Sequence, residues 1–174
     1  CRISIEPGDI VCITGPSGSG KSVLLRELEQ KIGPDERINL REIELPDDRT
    51  VIDCFDCDVI ARLRLLISAG LGGVFPMLNR PSLLSDGQKY RFRLAQALAS
   101  GRRYIFADEF CSELDRITAA TVAFNAARFV RKAKTSLIVA TSHRDILMDL
   151  APDAIVTKDF TCPAEVIYKD RMRA

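Results

Sequence analysis

Apolar and polar positions change period several times along the chain, and each change marks a new element. IVCIT (10–14) is apolar throughout and runs into a glycine, the mark of a buried strand. SVLLRELEQKI (22–32) then takes up helical spacing and stops at Gly33-Pro34. INLREIEL (38–45) alternates, which predicts a half-exposed strand. DVIARLRLLISAG (58–70) predicts a helix with a glycine end, and a Gly- and Pro-containing loop leads from it to Ser85. Residues 87–100 predict a helix, and so do residues from about 116 to 133. In the latter, Val122, Ala123, Ala126, Phe129, Val130 and Ala133 recur with helical spacing. RYIFAD (103–108) reads as a second buried strand, SLIVATS (136–142) and AIVTK (154–158) as strands, and RDILMDL (144–150) as a short helix. EVIYKD (165–170) is expected to close the sheet edge. The opening CRISIEPGD also looks like the middle of a strand, so the chain is expected to be a piece of a longer protein. Alternating strands and helices predict an α/β fold.

Composition changes this picture little. The length of 174 residues suits one domain, and 47% hydrophobic with 28% charged residues is ordinary for a globular protein. A net charge of +1 gives the molecule as a whole no pull toward nucleic acid or an anionic membrane. The longest nearly apolar run, LLISAGLGGVFPML (65–78), is too short to span a bilayer and is broken by Gly70, Gly72, Gly73 and Pro76. No stretch has the pattern of a signal peptide, so a cytoplasmic setting without membrane insertion is expected. Six cysteines (Cys1, Cys12, Cys54, Cys57, Cys111 and Cys162) lie scattered, mostly in apolar surroundings, as buried free thiols in a reducing compartment do. The CFDC pair, Cys54 and Cys57, stands without a second pair and with one histidine in the chain, a poor basis for a zinc site.

Four stretches carry chemistry. GPSGSGKS (15–22) fits GxxxxGK[ST] between a predicted strand and a predicted helix. Its glycines allow a tight turn whose successive N–H groups can point at phosphate oxygens. Lys21 adds positive charge, the Ser22 hydroxyl can ligate Mg²⁺, and the helix N-terminus adds its partial charge. RYIFADEF (103–110) brings Asp108 and Glu109 to the end of a buried strand, where two adjacent carboxylates can take different roles. Asp108 would hold Mg²⁺, and Glu109 would orient and deprotonate a water. His143, the single histidine, follows SLIVATS at another strand end, where it could hydrogen-bond a γ-phosphate or that water. LLSDGQKYRFRLAQALA (83–99) adds a second candidate phosphate site, a polar helix N-terminus in front of an amphipathic run.

In this order the motifs resemble the ATP-binding-cassette (ABC) ATPases. GPSGSGKS looks like Walker A, LLSDGQ like the signature motif, YIFADE like Walker B, SELD (112–115) like the D-loop and ATSH like the switch histidine. The resemblance covers nearly the whole chain. It implies a P-loop NTPase fold, a mainly parallel sheet flanked by helices, as one domain over 1–174 with a reduced helical subregion at about 57–100. It further implies ATP and Mg²⁺ as ligands. Gly15, Pro16, Ser17, Gly18, Ser19, Gly20, Lys21, Ser22 and Val23 would hold the nucleotide, with Ser22 and Asp108 on the metal. Glu109, His143 and Lys21 would be catalytic. Two such domains would bind head to tail, so that Ser85, Gly87 and Gln88 face the γ-phosphate held by the other copy and Asp115 lies at the seam.

The chain departs from the family in places. Asp86 stands where a second glycine is usual, and as a first-turn acid it is expected to face solvent or a basic neighbour. No glutamine lies between Lys31 and Gln88 to serve as the Q-loop residue, with Asp53 or Asp56 as substitutes to consider. The adenine-stacking aromatic is expected to precede Cys1. These departures favour an ATPase not coupled to a transporter, similar to soluble ABC-type ATPases joined to an acetyltransferase-like domain, with further domains of the parent chain as partners. The alternatives are the nucleotide-binding subunit of a transporter, or a nucleic-acid-associated ABC ATPase using Lys89, Arg91, Arg93, Arg102 and Arg103 as a basic patch. A P-loop kinase would explain neither LSDGQ nor the consecutive Asp108 and Glu109.

Overall fold

A computed structural model describes residues 3–160 and 163–169. A single sheet organises them, with strands β1 (Ile10–Thr14), β2 (Arg37–Asn39), β3 (Tyr104–Ala107), β4 (Ser136–Thr141), β5 (Ala154–Thr157) and β6 (Glu165–Tyr168). Their order is β2-β3-β4-β1-β5-β6. The first five neighbours run parallel, and β6 closes the edge antiparallel to β5. The fold is therefore α/β with a mostly parallel sheet flanked by helices, as the alternating pattern predicts.

Strand alternation divides the core between two layers. Ile10, Cys12, Ile105, Leu137 and Val139 pack into one cluster with the inner faces of α2 (Val59–Ser68), α4 (Asp86–Ala99) and α5 (Arg116–Ala133). Val11, Ile13, Phe106, Ile138 and Ala140 join Leu25 of α1 (Lys21–Gln30) on the opposite face. Because both faces are covered, β1 and β4 are buried at every position. Most of the helical stripe expected on α5 is present: Val122, Ala123, Ala126 and Val130 are buried and Phe129 is half-buried against the core, but Ala133 in the last turn is exposed.

Several expectations are corrected. INLREIEL does not continue as a strand. Only Arg37–Asn39 is β2, and Leu40–Glu42 is a 3₁₀ turn. The Asn39 side chain accepts the Arg41 N–H at 3.0 Å, and this local bond ends the strand. The Gly- and Pro-containing loop before Ser85 hides a short helix, α3 (Val74–Leu78), and a 3₁₀ turn at Pro81–Leu83. RDILMDL forms a helix only over α6 (Leu147–Leu150). Residues 3–9 of CRISIEPGD are irregular, while Cys1 and Arg2 lie outside the described residues, as do Cys162 and Asp170 of EVIYKD.

Candidate functional site

The site begins where β1 meets α1 at the C-terminal edge of the sheet. Gly15 has a φ of 152°, and a Cβ there would overlap the Lys158 carbonyl oxygen past β5, so the position admits no side chain. The loop curls through Gly20, whose φ of 92° makes it a left-handed N-cap to α1. The Ser19 N–H donates to the Pro16 carbonyl at 3.3 Å, and the Lys21 ammonium donates to the Gly15 and Pro16 carbonyls at 2.9 and 2.7 Å. The Ser19 hydroxyl is buried within the curl and has no hydrogen-bond partner among the described residues. A donor without an acceptor, an ammonium and a helix N-terminus at one loop fit a bound anion.

Residues 17–18 and 20–23, Asp108 and Glu109, and residues 140–142 line one cleft of about 290 Å³. Three larger hollows, of about 570, 600 and 380 Å³, are lined by residues of α2, α4, α5 and α6 and of the segment 54–57, and by none of residues 15–23, Asp108, Glu109 or His143. Chemistry rather than size singles out the smaller cleft. Within it the Ser22 hydroxyl donates to Asp108 Oδ1 at 3.0 Å. Hydroxyl and carboxylate are hard oxygen donors, so the pair fits Mg²⁺. Asp108 and Glu109 do diverge: the first side chain is 7% exposed, the second 71%. A left-handed backbone at Glu109 (φ 52°) separates them, with a second such residue at Cys111 (φ 61°). The strained turn is fastened at several points. The Phe110 N–H donates to the Ala140 carbonyl at 2.9 Å and the Cys111 N–H to the Tyr90 hydroxyl at 3.0 Å.

Arg41, which the sequence reading passed over, also reaches this corner. Its Nη1 lies 2.8 Å from Asp108 Oδ2 and its Nη2 3.3 Å from Glu109 Oε2. The signal that finds it is sheet register, since Asn39 pairs with Phe106 and places Arg41 level with Asp108. Asp53 and Asp56 do not line the cleft; Asp53 instead lies 3.4 Å from Arg62. His143 stands just beyond Ser142 at the rim. Its backbone N–H donates to the Thr141 hydroxyl at 3.1 Å, and its ring Nδ1 lies 3.9 Å from Asp145.

Ser85, Gly87, Gln88 and Asp115 do not line this cleft. Ser85 and Gln88 form a capping box at the start of α4: the Gln88 N–H donates to the Ser85 hydroxyl at 3.4 Å and the Ser85 N–H to the Gln88 side chain at 3.0 Å. Asp86 is exposed, as its first-turn position suggests. Gly87 lies against the SELD segment, where a Cβ would meet Leu114 at 3.3 Å. Asp115 caps α5 by accepting the Thr118 N–H at 3.0 Å, and the Thr118 side chain together with that N–H holds its carboxyl below the usual range. The motif residues therefore form two groups, one around the P-loop and one at the start of α4 and α5.

Four of the five candidate basic residues have partners within the fold. Arg91 donates to the Gly87 and Gly70 carbonyls, Arg93 to Ile43, and Arg102 to Asp35, while Arg103 pairs with Glu36. Arg91 and Arg93 thereby tie α4 to neighbouring loops, and Arg102 and Arg103 join two loops. Cys12, Cys54, Cys57 and Cys111 are free thiols, and no cluster of three metal-ligating His, Cys, Asp or Glu side chains occurs among the described residues. Among those residues no helix is long and apolar enough to cross a membrane.

Comparison with known proteins places this geometry in context. A family model described as ABC transporter matches residues 1–56. The lipoprotein-releasing system ATP-binding protein LolD of Maricaulis maris is 30% identical over 179 residues, covering 83% of this chain and 78% of that protein. LolD of Novosphingobium aromaticivorans is 29% identical over 183 residues, covering 84% and 81%. Among solved structures, a dimeric post-hydrolysis state of an ATP-binding cassette bound to ADP and Pi superposes with a TM-score of 0.70. The two share 20% identity over 94% of this chain and 87% of the other.

Proposed function

The chain belongs to the ATP-binding cassette family of transporter ATPase domains, and we propose that it binds Mg-ATP in the P-loop cleft and hydrolyses it as one half of a head-to-tail pair. The observation that carries this reading is the meeting of Ser22 and Asp108 at 3.0 Å beside a loop with a spare hydroxyl and an ammonium. Residues Gly15 to Val23 form the loop that cradles the phosphates, through those of its backbone N–H groups not already bonded within the loop, and Lys21 turns from its own loop carbonyls to the terminal phosphates. Ser22 and Asp108 hold the metal. When bound, Mg²⁺ neutralises charge on the β- and γ-phosphate oxygens. Glu109, exposed at the cleft, accepts a proton from the water whose oxygen attacks the γ-phosphorus as the bond to ADP breaks. His143 at the rim hydrogen-bonds the γ-phosphate or that water.

The second group of residues supplies the other wall. Ser85, the Gly87 N–H, Gln88 and the α4 N-terminus lie off the cleft, so they serve the nucleotide of a second copy, with Asp115 at the seam. Residues 1–174 act as one cassette with a helical subregion at about 57–100. The missing Q-loop glutamine favours an ATPase free of any transporter. The relatives named above are described as parts of a lipoprotein-releasing system, and that favours a cassette working beside a membrane-embedded subunit at the cytoplasmic face. We adopt the second reading. None of those relatives is described as joined to an acetyltransferase-like domain. Nucleic-acid association is not suggested by the descriptions of the matched family or of the relatives named above.

Replacing Glu109 with Gln tests the assignment. Nucleotide affinity should persist while turnover falls roughly a hundredfold or more, the usual worth of a positioned base. Wild-type turnover in Glu109→Gln would remove Glu109 from the mechanism.

A further inference from the structure

Arg41 owes its place to a chain of local causes. β2 is held to α1 by the buried Glu29, which pairs with Arg37 and accepts from the Asn39 amide at 2.8 Å. Asn39 then bends the chain into the Leu40–Glu42 turn, so Arg41 leaves the sheet level with Asp108. One guanidinium thereby spans both carboxylates, at 2.8 Å from Asp108 and 3.3 Å from Glu109. The other Asp108 oxygen, Oδ1, is taken at 3.0 Å by both the Ser22 hydroxyl and the Glu109 N–H. Every oxygen of the buried carboxylate is thus engaged, and Arg41 holds the one at Oδ2.

We propose that Arg41 is an internal counter-cation for Asp108 and Glu109, and that it competes with Mg²⁺ for this corner of the nucleotide cleft. The inference rests on the reading of that cleft as a Mg-ATP site. Two adjacent carboxylates beside a polyanionic substrate need positive charge, and the guanidinium supplies it from within the chain. A divalent ion at Ser22 and Asp108 repels Arg41, so the metal must displace the guanidinium from Asp108. The Arg41 side chain is 57% exposed, which lets it swing away without uncovering core. Toward ATP without metal, Arg41 adds to the attraction of Lys21. The chain therefore gains less from Mg²⁺ than the same cleft would without this arginine.

The ratio of ATP dissociation constants in EDTA and in excess Mg²⁺ reads this competition directly. It should be measured on the full chain, with thermal unfolding to establish that each variant is folded. In Arg41→Gln the ratio should rise about tenfold, the scale of one charge-assisted contact. Metal-free binding should weaken and Mg²⁺-dependent binding tighten. Arg41→Lys keeps the charge but loses the two-pronged geometry, and its ratio should fall between. If Arg41→Gln fails to fold, Arg41→Lys alone decides by whether its ratio exceeds that of the wild type. A ratio unchanged from wild type, in a chain that binds ATP, overturns the proposal and leaves the nucleotide site standing. A wild-type chain that binds no ATP in either buffer overturns both.

Discussion

Asp108 and Glu109 are neighbours in sequence with opposite surroundings, and the backbone at Glu109 makes the difference. The motif residues were legible because their chemistry follows local spacing: a glycine-rich turn, a lysine, a hydroxyl, two acids after a strand. Arg41 was not legible, because its role follows from which strand lies beside β3, a fact no local pattern contains. The cysteines offer a test at this scale. Burial pushes the Cys12 and Cys111 thiols up to about 12. At pH 8 both stay protonated in the folded chain and should resist iodoacetamide. Of the four described cysteines, only the half-buried Cys54 and Cys57 should be labelled, Cys54 slowed because burial also raises its thiol. Mass spectrometry of the alkylated protein distinguishes the sites, and rapid native labelling of Cys12 would contradict the packing of β1.

A long helical period is legible in the sequence, whereas a short alternating run or a turn-like glycine and proline misleads. α5 repeats its apolar stripe over 18 residues, and its bounds agree with the pattern. α3 escaped because Gly73 and Pro76 look like loop, although a proline is tolerated in the first turn of a helix. β2 was overextended because INLREIEL alternates well beyond the point where Asn39 ends the ladder. At α4 the capping box predicts an ordinary stability effect. Ser85→Ala should cost about 1 kcal/mol, seen as a lower urea midpoint with an unchanged slope. An unchanged midpoint would mean that the box does not hold the helix start.

The whole molecule presents two separated groups of motif residues, the P-loop cleft and the paired starts of α4 and α5. The first group lines a cleft of its own, and the second lies off that cleft. A second copy, turned head to tail, would bring the capped end of α4 over the cleft of the first and create two equivalent sites. Ser85→Arg places a long cation at that end of α4. It should leave nucleotide affinity in the single chain unchanged while preventing assembly and turnover.

Light scattering of Glu109→Gln, with and without Mg-ATP, tests the shared-site claim most directly. The mass should double on adding Mg-ATP and return to that of one chain when Ser85→Arg is introduced alongside. A wild-type chain that hydrolyses ATP at full rate while scattering as a single copy would contradict the account.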